Sequence, residues 1–346
     1  ESDGREVLAY MPESLFSTTV NEGMHYLTDP AYGHRYYVDL RPSVTDVFAK
    51  TTPTGTAAWN TVLVGGLRGG GRGLFALDIT DPTAYAESST AAANTVMWEF
   101  SSADDADLGY TFSAPSIVLM PNDKWAVIFG NGYNDTGSGE AQLFILYLEE
   151  GLDGTWSSTD YVKITTGVGN TTTRNGLSTP AVIDSNGDGV ADWAYAGDLL
   201  GNMWSFDLSA TNPGNWKVAY KQGTTPKPLF VAGSSKPITA APVIVRNPDI
   251  ATSNSNDPNL LVLFGTGQYI ATGDNTSTAT QSFYGVWDSG THSLDNSDLV
   301  DQNIGTGTTT GGTTGRTVSN NAVDYSTGDD GWYMDLPTSG ERVVTD

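Results

Sequence analysis

Short apolar runs separated by turn-forming stretches follow one another along this chain in a recurring order. A Pro-x-aliphatic start appears at Pro42-Ser43-Val44, Pro115-Ser116-Ile117 and Pro180-Ala181-Val182, with a variant at Pro242-Val243-Ile244; the intervals are 73, 65 and 62 residues. Each start is followed by an aliphatic run closing on glycine: Val62 to Gly65, Val127 to Gly130, Ala194 to Gly197 and Val262 to Gly265. A third run carries aromatic residues: Leu74 to Ile79, Leu143 to Leu148, Met203 to Leu208 and Phe283 to Asp288. Runs of this length, bounded by Gly, Pro, Asn and Asp, read as strands. Fourth strands fall at Val96 to Phe100, Tyr161 to Ile164, Trp216 to Tyr220 and, less clearly, Gly331 to Leu336.

Four strands per repeat is the make-up of a propeller blade, and a blade must stack on its neighbours to bury both faces. The expected fold is therefore all-β: a β-propeller with blades of four antiparallel strands at 42–100, 115–165, 180–221 and 242–290. Residues 1–346 would form a single such domain or part of one. A pair of sandwiches or a solenoid would not repeat strands in this order at this spacing. Glu6 to Tyr10 and Gly33 to Leu40 read as further strands, with half-blades expected at both ends. Gln302 to Asn321, dominated by Thr and Gly, reads as a flexible low-complexity connection, and Ala251 to Asn259 as a shorter excursion.

Between the first two strands of the third repeat lies an oxygen-rich loop. With Asp184 as position 1, Asn186 is position 3, Asp188 is 5, Gly189 is 6, Val190 is 7 and Asp192 is 9. A calcium loop of the EF-hand type needs side-chain oxygens at 1, 3 and 5, a sharp-turning glycine at 6 and a backbone carbonyl at 7. Position 12 carries Tyr195 in place of the usual bidentate Glu, so Asp192 is expected to close the site. A plain hairpin turn would use the same residue types, but it needs only about two of them. Calcium is the expected ion, with Asp184, Asn186, Asp188, Val190 and Asp192 as ligands. Both Asp184 and Asp192 are expected at a blade margin, replaceable without unfolding the chain.

Composition narrows the function. The chain has 40 acidic and 16 basic residues, a net charge of −24. That field repels nucleic acid and anionic membranes and attracts divalent cations. No cysteine is present, and no apolar run approaches the length that crosses a membrane. The three histidines, His25, His34 and His292, have no triad spacing, so no catalytic residues are expected; His34 reads as a blade-edge packing residue. The glycine-rich stretch from Val64 to Gly73 lacks the Gly-Lys-Ser/Thr of a phosphate loop and reads as a wide, flexible hairpin.

Taken together, these residues resemble the C-terminal domain of the PilY/PilC-type adhesins of type IV pilus tips. The segments that carry the likeness are Tyr32 to Asp39, Thr61 to Pro82, the oxygen-rich loop, Gly197 to Leu208 and Phe264 to Tyr269. The resemblance implies a modified β-propeller related to quinoprotein alcohol dehydrogenases but without enzymatic activity. It implies a regulatory calcium held by Asp184, Asn186, Asp188 and Asp192 with the Val190 carbonyl, its occupancy coupled to pilus extension against retraction. Minor pilins at the pilus tip are the implied partners, with a host-cell receptor or glycan besides, and the implied location is the outer surface of a Gram-negative cell. A large N-terminal region, often with a von Willebrand factor A-like module, is expected upstream. Two other classes compete: a quinone-dependent dehydrogenase and a repeat scaffold that binds protein or glycan with purely structural calcium. Quinone enzymes commonly set a vicinal cysteine pair against the cofactor, so quinone binding is not expected here.

Overall fold

The computed structural model describes residues 4, 6–253, 257–308 and 314–345. The chain divides into two compact units, Glu1–Gly176 and Leu177–Asp346.

The first unit holds two four-stranded antiparallel meanders. One comprises β1 (Ser43–Ala49), β2 (Ala58–Gly66), β3 (Gly73–Asp78) and β4 (Val96–Ser101), with helix α1 (Ser89–Thr95) leading into β4. The other comprises β5 (Ser116–Leu119), β6 (Trp125–Gly130), β7 (Glu140–Tyr147) and β8 (Tyr161–Gly169). Every strand-forming run expected in these two repeats is present, in the expected order. The strands form because β-branched and aromatic residues suit a pleated surface buried on both sides. Val62, Val64, Leu74, Phe100, Val127, Phe129, Phe144 and Leu146 make one continuous core between the sheets. Two indoles cross that core with their polar ends satisfied: Trp98 Nε1 donates to the Leu148 carbonyl at 2.9 Å and Trp156 Nε1 to the Glu99 carbonyl at 2.7 Å.

The second unit is less regular. Strands β9 (Ala181–Ile183), β10 (Trp193–Gly197), β11 (Asn202–Asp207) and β12 (Lys217–Val218) form the third meander. Its fourth strand is shorter than the expected Trp216 to Tyr220 run. After Val218 the chain leaves the sheet to make a separate hairpin, β13 (Tyr220–Gln222) and β14 (Thr225–Lys227), and β15 (Phe230–Val231) returns to pair with β11. The fourth meander is β16 (Val243–Arg246), β17 (Leu260–Gly265), β18 (Ser282–Asp288) and, after an excursion, β22 (Gly331–Asp335). The excursion carries β19 (Val300–Asp301), which lies parallel to β22, and a hairpin of β20 (Ile304–Thr308) and β21 (Thr314–Val318). Tyr195, Met203, Phe230, Ile238, Val262, Phe264, Tyr284 and Val286 fill the core of this unit.

Four expectations are corrected. Glu6 to Tyr10 and Gly33 to Leu40 form no strand. Tyr10 donates to a Glu99 carboxylate oxygen and packs on Phe75 at 5.0 Å, while Tyr26 lies under the Arg35 guanidinium at 3.8 Å; these side-chain contacts hold the segments without a ladder. His34 is exposed beside Tyr36 rather than packed at a blade edge. The Thr/Gly tract, expected to be flexible, instead pairs from Ile304↔Val318 to Thr308↔Thr314, because Thr is β-branched and favours a strand when a partner is available. Its residues 309–313, like 254–256 of the other excursion, lie outside the described residues. The Val64 to Gly73 hairpin is likewise a fixed turn: the Thr111 hydroxyl accepts from the amides of Leu67 and Arg68, and Arg68 pairs with Asp39 at 2.9 Å.

Candidate cation-binding loop

Residues 184–192 connect Ile183 of β9 to Trp193 of β10, which face each other in register. Asp192 N–H donates to the Ile183 carbonyl at 2.9 Å, closing the loop at its base. Within the loop the side chains fold back on the backbone in a regular series. Asp184 accepts from Gly187 N at 2.6 Å and Asp188 N at 3.2 Å through Oδ1, and from Gly189 N at 2.7 Å through Oδ2. Asn186 Oδ1 accepts from Asp188 N at 2.9 Å, and Asp188 Oδ1 from Val190 N at 2.9 Å. Such Asx bonds tie alternate side chains back onto the backbone of a tight turn. Gly187 and Gly189 have φ of 85° and 87°, the left-handed region that glycine enters without a steric penalty. Gly189 thus makes the sharp turn expected at position 6.

The Gly189 N–H, ahead of those of Gly187 and Asp188, holds the Asp184 carboxyl below its usual range, against a smaller opposing effect of desolvation. Asp184 therefore stays ionised over the whole neutral range. It is exposed, as are Asn186 and Asp188; Val190 is half-buried. Asp192 departs from expectation. It is buried, and its Oδ2 accepts from Ser185 N at 2.9 Å and Ser185 Oγ at 2.7 Å, while its carbonyl accepts from Leu208 N at 2.8 Å. Asp192 is part of the loop's frame, so replacing it is not the neutral change expected for a margin residue. Two contributors escaped the sequence: Ser185, which ties Asp192 down, and Arg246 of β16, whose guanidinium donates to the Ser185 carbonyl. Nothing in the local spacing points to Arg246, 61 residues away.

The donor set fits a hard cation. It consists of oxygens alone, and Asp188 Oδ2 and Asp192 Oδ1 accept no hydrogen bond among the described residues. Those residues hold no cluster of three acidic or histidine side chains already converged as a metal cage. The loop presents its ligands in sequence, and an ion would have to draw them together. The second oxygen-bearing turn, Gly130 to Gly137, is built differently: its Asp135 is buried and pairs with Arg174 at 3.3 Å.

Residues 2–319 match the family model of the PilY1 β-propeller domain. The chain belongs to the PilY1 β-propeller family. A PilY1 homologue of Xylella fastidiosa, described as a type IV pilus biogenesis factor, is 36% identical over 348 residues, covering 99% of this chain and 22% of the relative. PilY1 of Pseudomonas aeruginosa is 36% identical over 379 residues, covering 98% of this chain and 30% of its own length. The chain thus spans under a third of these PilY1 relatives. The crystal structure of the Pseudomonas aeruginosa PilY1 C-terminal domain superposes with a TM-score of 0.74 at 32% identity, covering 99% of this chain and 70% of that one. The all-β meanders are accordingly those of a PilY1-type β-propeller, as the repeat pattern predicts.

Proposed function

We propose that this chain is the calcium-responsive C-terminal propeller of a type IV pilus biogenesis factor, and that it is not an enzyme. The repeats at 42–100, 115–165, 180–221 and 242–290, the last completed by β22, are read as consecutive blades of one propeller domain or part of one. Calcium sits in the 184–192 loop, with side-chain oxygens of Asp184, Asn186, Asp188 and Asp192 and the Val190 carbonyl as ligands. The observation that carries this reading is the series of Asx bonds from Asp184 through Asp188, which ties the oxygen side chains at positions 1, 3 and 5 to the backbone of a loop turned by Gly189. Occupancy of the loop would bias the assembly between pilus extension and retraction. Minor pilins are the proposed partners, with a host receptor or glycan as the target of adhesion, at the cell surface. The naming of the relatives as pilus biogenesis factors supports this setting. No helix among the described residues is long and apolar enough to cross a membrane.

Calorimetric titration with calcium tests the site. Without a Glu at position 12, a dissociation constant between about 10⁻⁶ and 10⁻³ M is expected. Asp184→Ala should abolish the heat of binding and leave the circular dichroism spectrum unchanged, because Asp184 is exposed and bonds only within its own loop. Asp192→Ala should lose binding and also lower stability by about 1–3 kcal/mol, since it leaves the Ser185 amide and hydroxyl without their acceptor. Binding by Asp184→Ala equal to that of the wild type would remove the loop from consideration.

A further inference from the structure

Three Asn-Gly pairs occur in the chain: Asn131-Gly132, Asn175-Gly176 and Asn186-Gly187. Chemically they are alike, since glycine puts no side chain in the way of attack by its own amide nitrogen on the preceding carboxamide. Structurally they are not. Asn131 has no exposed surface; its Nδ2 donates to the carbonyls of Asp107 at 3.1 Å and Glu140 at 2.9 Å, and its Oδ1 accepts from Gln142 N at 3.0 Å. A carboxamide held at three points cannot swing onto the next peptide nitrogen. Asn175 is equally buried, its Nδ2 donating to the Val168 carbonyl at 3.1 Å. Asn186 is exposed, its Nδ2 has no partner among the described residues, and the space around Gly187 is open. The hydrogen that must leave Gly187 N before it can attack already points at a carboxylate oxygen, Asp184 Oδ1, at 2.6 Å.

We propose that Asn186 is a site of self-modification: Gly187 N bonds to Asn186 Cγ, ammonia leaves from Nδ2, and water opens the resulting succinimide to aspartate or isoaspartate. Water is the only co-reactant, and no oxidation state changes. The aspartate product puts a fourth carboxylate into the loop beside Asp184, Asp188 and Asp192, which raises its demand for a cation. The isoaspartate product lengthens the backbone by one carbon and displaces the second half of the loop from the first. A slow, irreversible reaction would thus reset the loop according to the age of the molecule. A further consequence rests on the calcium reading above: with Asn186 Oδ1 turned onto an ion, the carboxamide is held off the Gly187 nitrogen and the reaction slows.

The test is timed incubation of the folded chain in mildly alkaline buffer, with excess calcium or with chelator, followed by peptide mapping by mass spectrometry. A urea-unfolded sample establishes that all three pairs can convert. The expected result is the mass gain of an amide turned acid in the 186 peptide alone, with isoaspartate among its products, suppressed by calcium. Asn186→Gln, whose longer carboxamide closes a ring far more slowly, should leave the 186 peptide unconverted and circular dichroism unchanged, because Asn186 is exposed. No conversion at Asn186 in folded protein, or equal conversion at all three pairs, would overturn the proposal. Conversion confined to Asn186 but indifferent to calcium would leave the modification standing and count against Asn186 as a calcium ligand.

Discussion

Replacing Asp288 by alanine is expected to cost about 3–5 kcal/mol of stability below about pH 4, and progressively less as pH rises to about 6. Asp288 ends β18, is wholly buried, and gathers hydroxyls from distant parts of the second unit. Its Oδ2 accepts from Tyr195 at 2.8 Å and Ser205 at 3.4 Å, and its Oδ1 from Tyr220 and, at 3.3 Å, from Gly290 N. Removing the carboxyl leaves the buried Tyr195 hydroxyl without its acceptor and opens a void beside Ser205. Burial pushes the Asp288 carboxyl up to about 6, outweighing the hydroxyl donors that favour its ionised form.

The raised value fixes the sign of the pH effect. The folded chain holds the Asp288 proton more tightly than the unfolded chain does. This group's contribution is therefore fully present below the ordinary value near 3.8 and is lost as pH rises through about 6. The loss amounts to about 3 kcal/mol. Many other carboxylates act in the opposite direction: Asp184, Asp274 and Glu341, among others, are held below their usual range and stabilise as pH rises. The contribution of Asp288 must therefore be read from the difference between wild type and Asp288→Asn, measured by urea unfolding across the pH range. That difference should change between about pH 4 and pH 6 and be flat outside it; a flat difference throughout would show that Asp288 does not titrate there.

In the first unit the expected weak point is Phe144. It is fully buried in β7, stacked on Phe129 at 5.5 Å and Tyr161 at 6.1 Å and met edge-on by Phe100 at 6.0 Å. The Lys163 ammonium lies 5.7 Å from its ring centre, while pairing with Asp105 and Asp107. Phe144→Ala removes the ring around which the other three are arranged, and rigid β-strands cannot close the gap, so a loss of about 3–5 kcal/mol is expected. Urea unfolding followed by circular dichroism measures it. A loss below about 1 kcal/mol would mean that Phe129 and Tyr161 collapse into the space.

The repeats were legible because their signals are local. A proline before an aliphatic pair, an aliphatic run ending on glycine, and a following aromatic run each report on neighbouring residues. Each places a strand: Pro42 before β1, Gly65 near the end of β2, Leu74 to Leu77 in β3. The turn of the loop was legible for the same reason, with Gly189 in the left-handed region where the spacing requires it. What was not legible depends on partners far away in sequence. Asp288 is one of 40 acidic residues, and nothing near it announces Tyr195 and Tyr220, 93 and 68 residues earlier. Asp192 looked like a ligand equivalent to Asp184 because spacing carries no information about burial. Glu6 to Tyr10 has a strand's composition but finds no partner strand, whereas the Thr/Gly tract has a linker's composition and pairs with itself.

That self-paired tract has a use of its own. Both its ends are fastened at one residue: Gln302 Nε2 donates to the Asn321 carbonyl at 2.7 Å, and Gln302 Oε1 accepts from Ser319 Oγ at 2.8 Å and Asn321 N at 3.0 Å. The chain therefore leaves and rejoins the body of the protein at a single clasp, and whatever lies between is bounded by a short, fixed span. Lengthening a segment closed in this way adds little entropic penalty, because the cost grows only with the logarithm of its length. Insertions between β20 and β21 should therefore cost the fold little, because the clasp at Gln302 that fixes the span lies outside them.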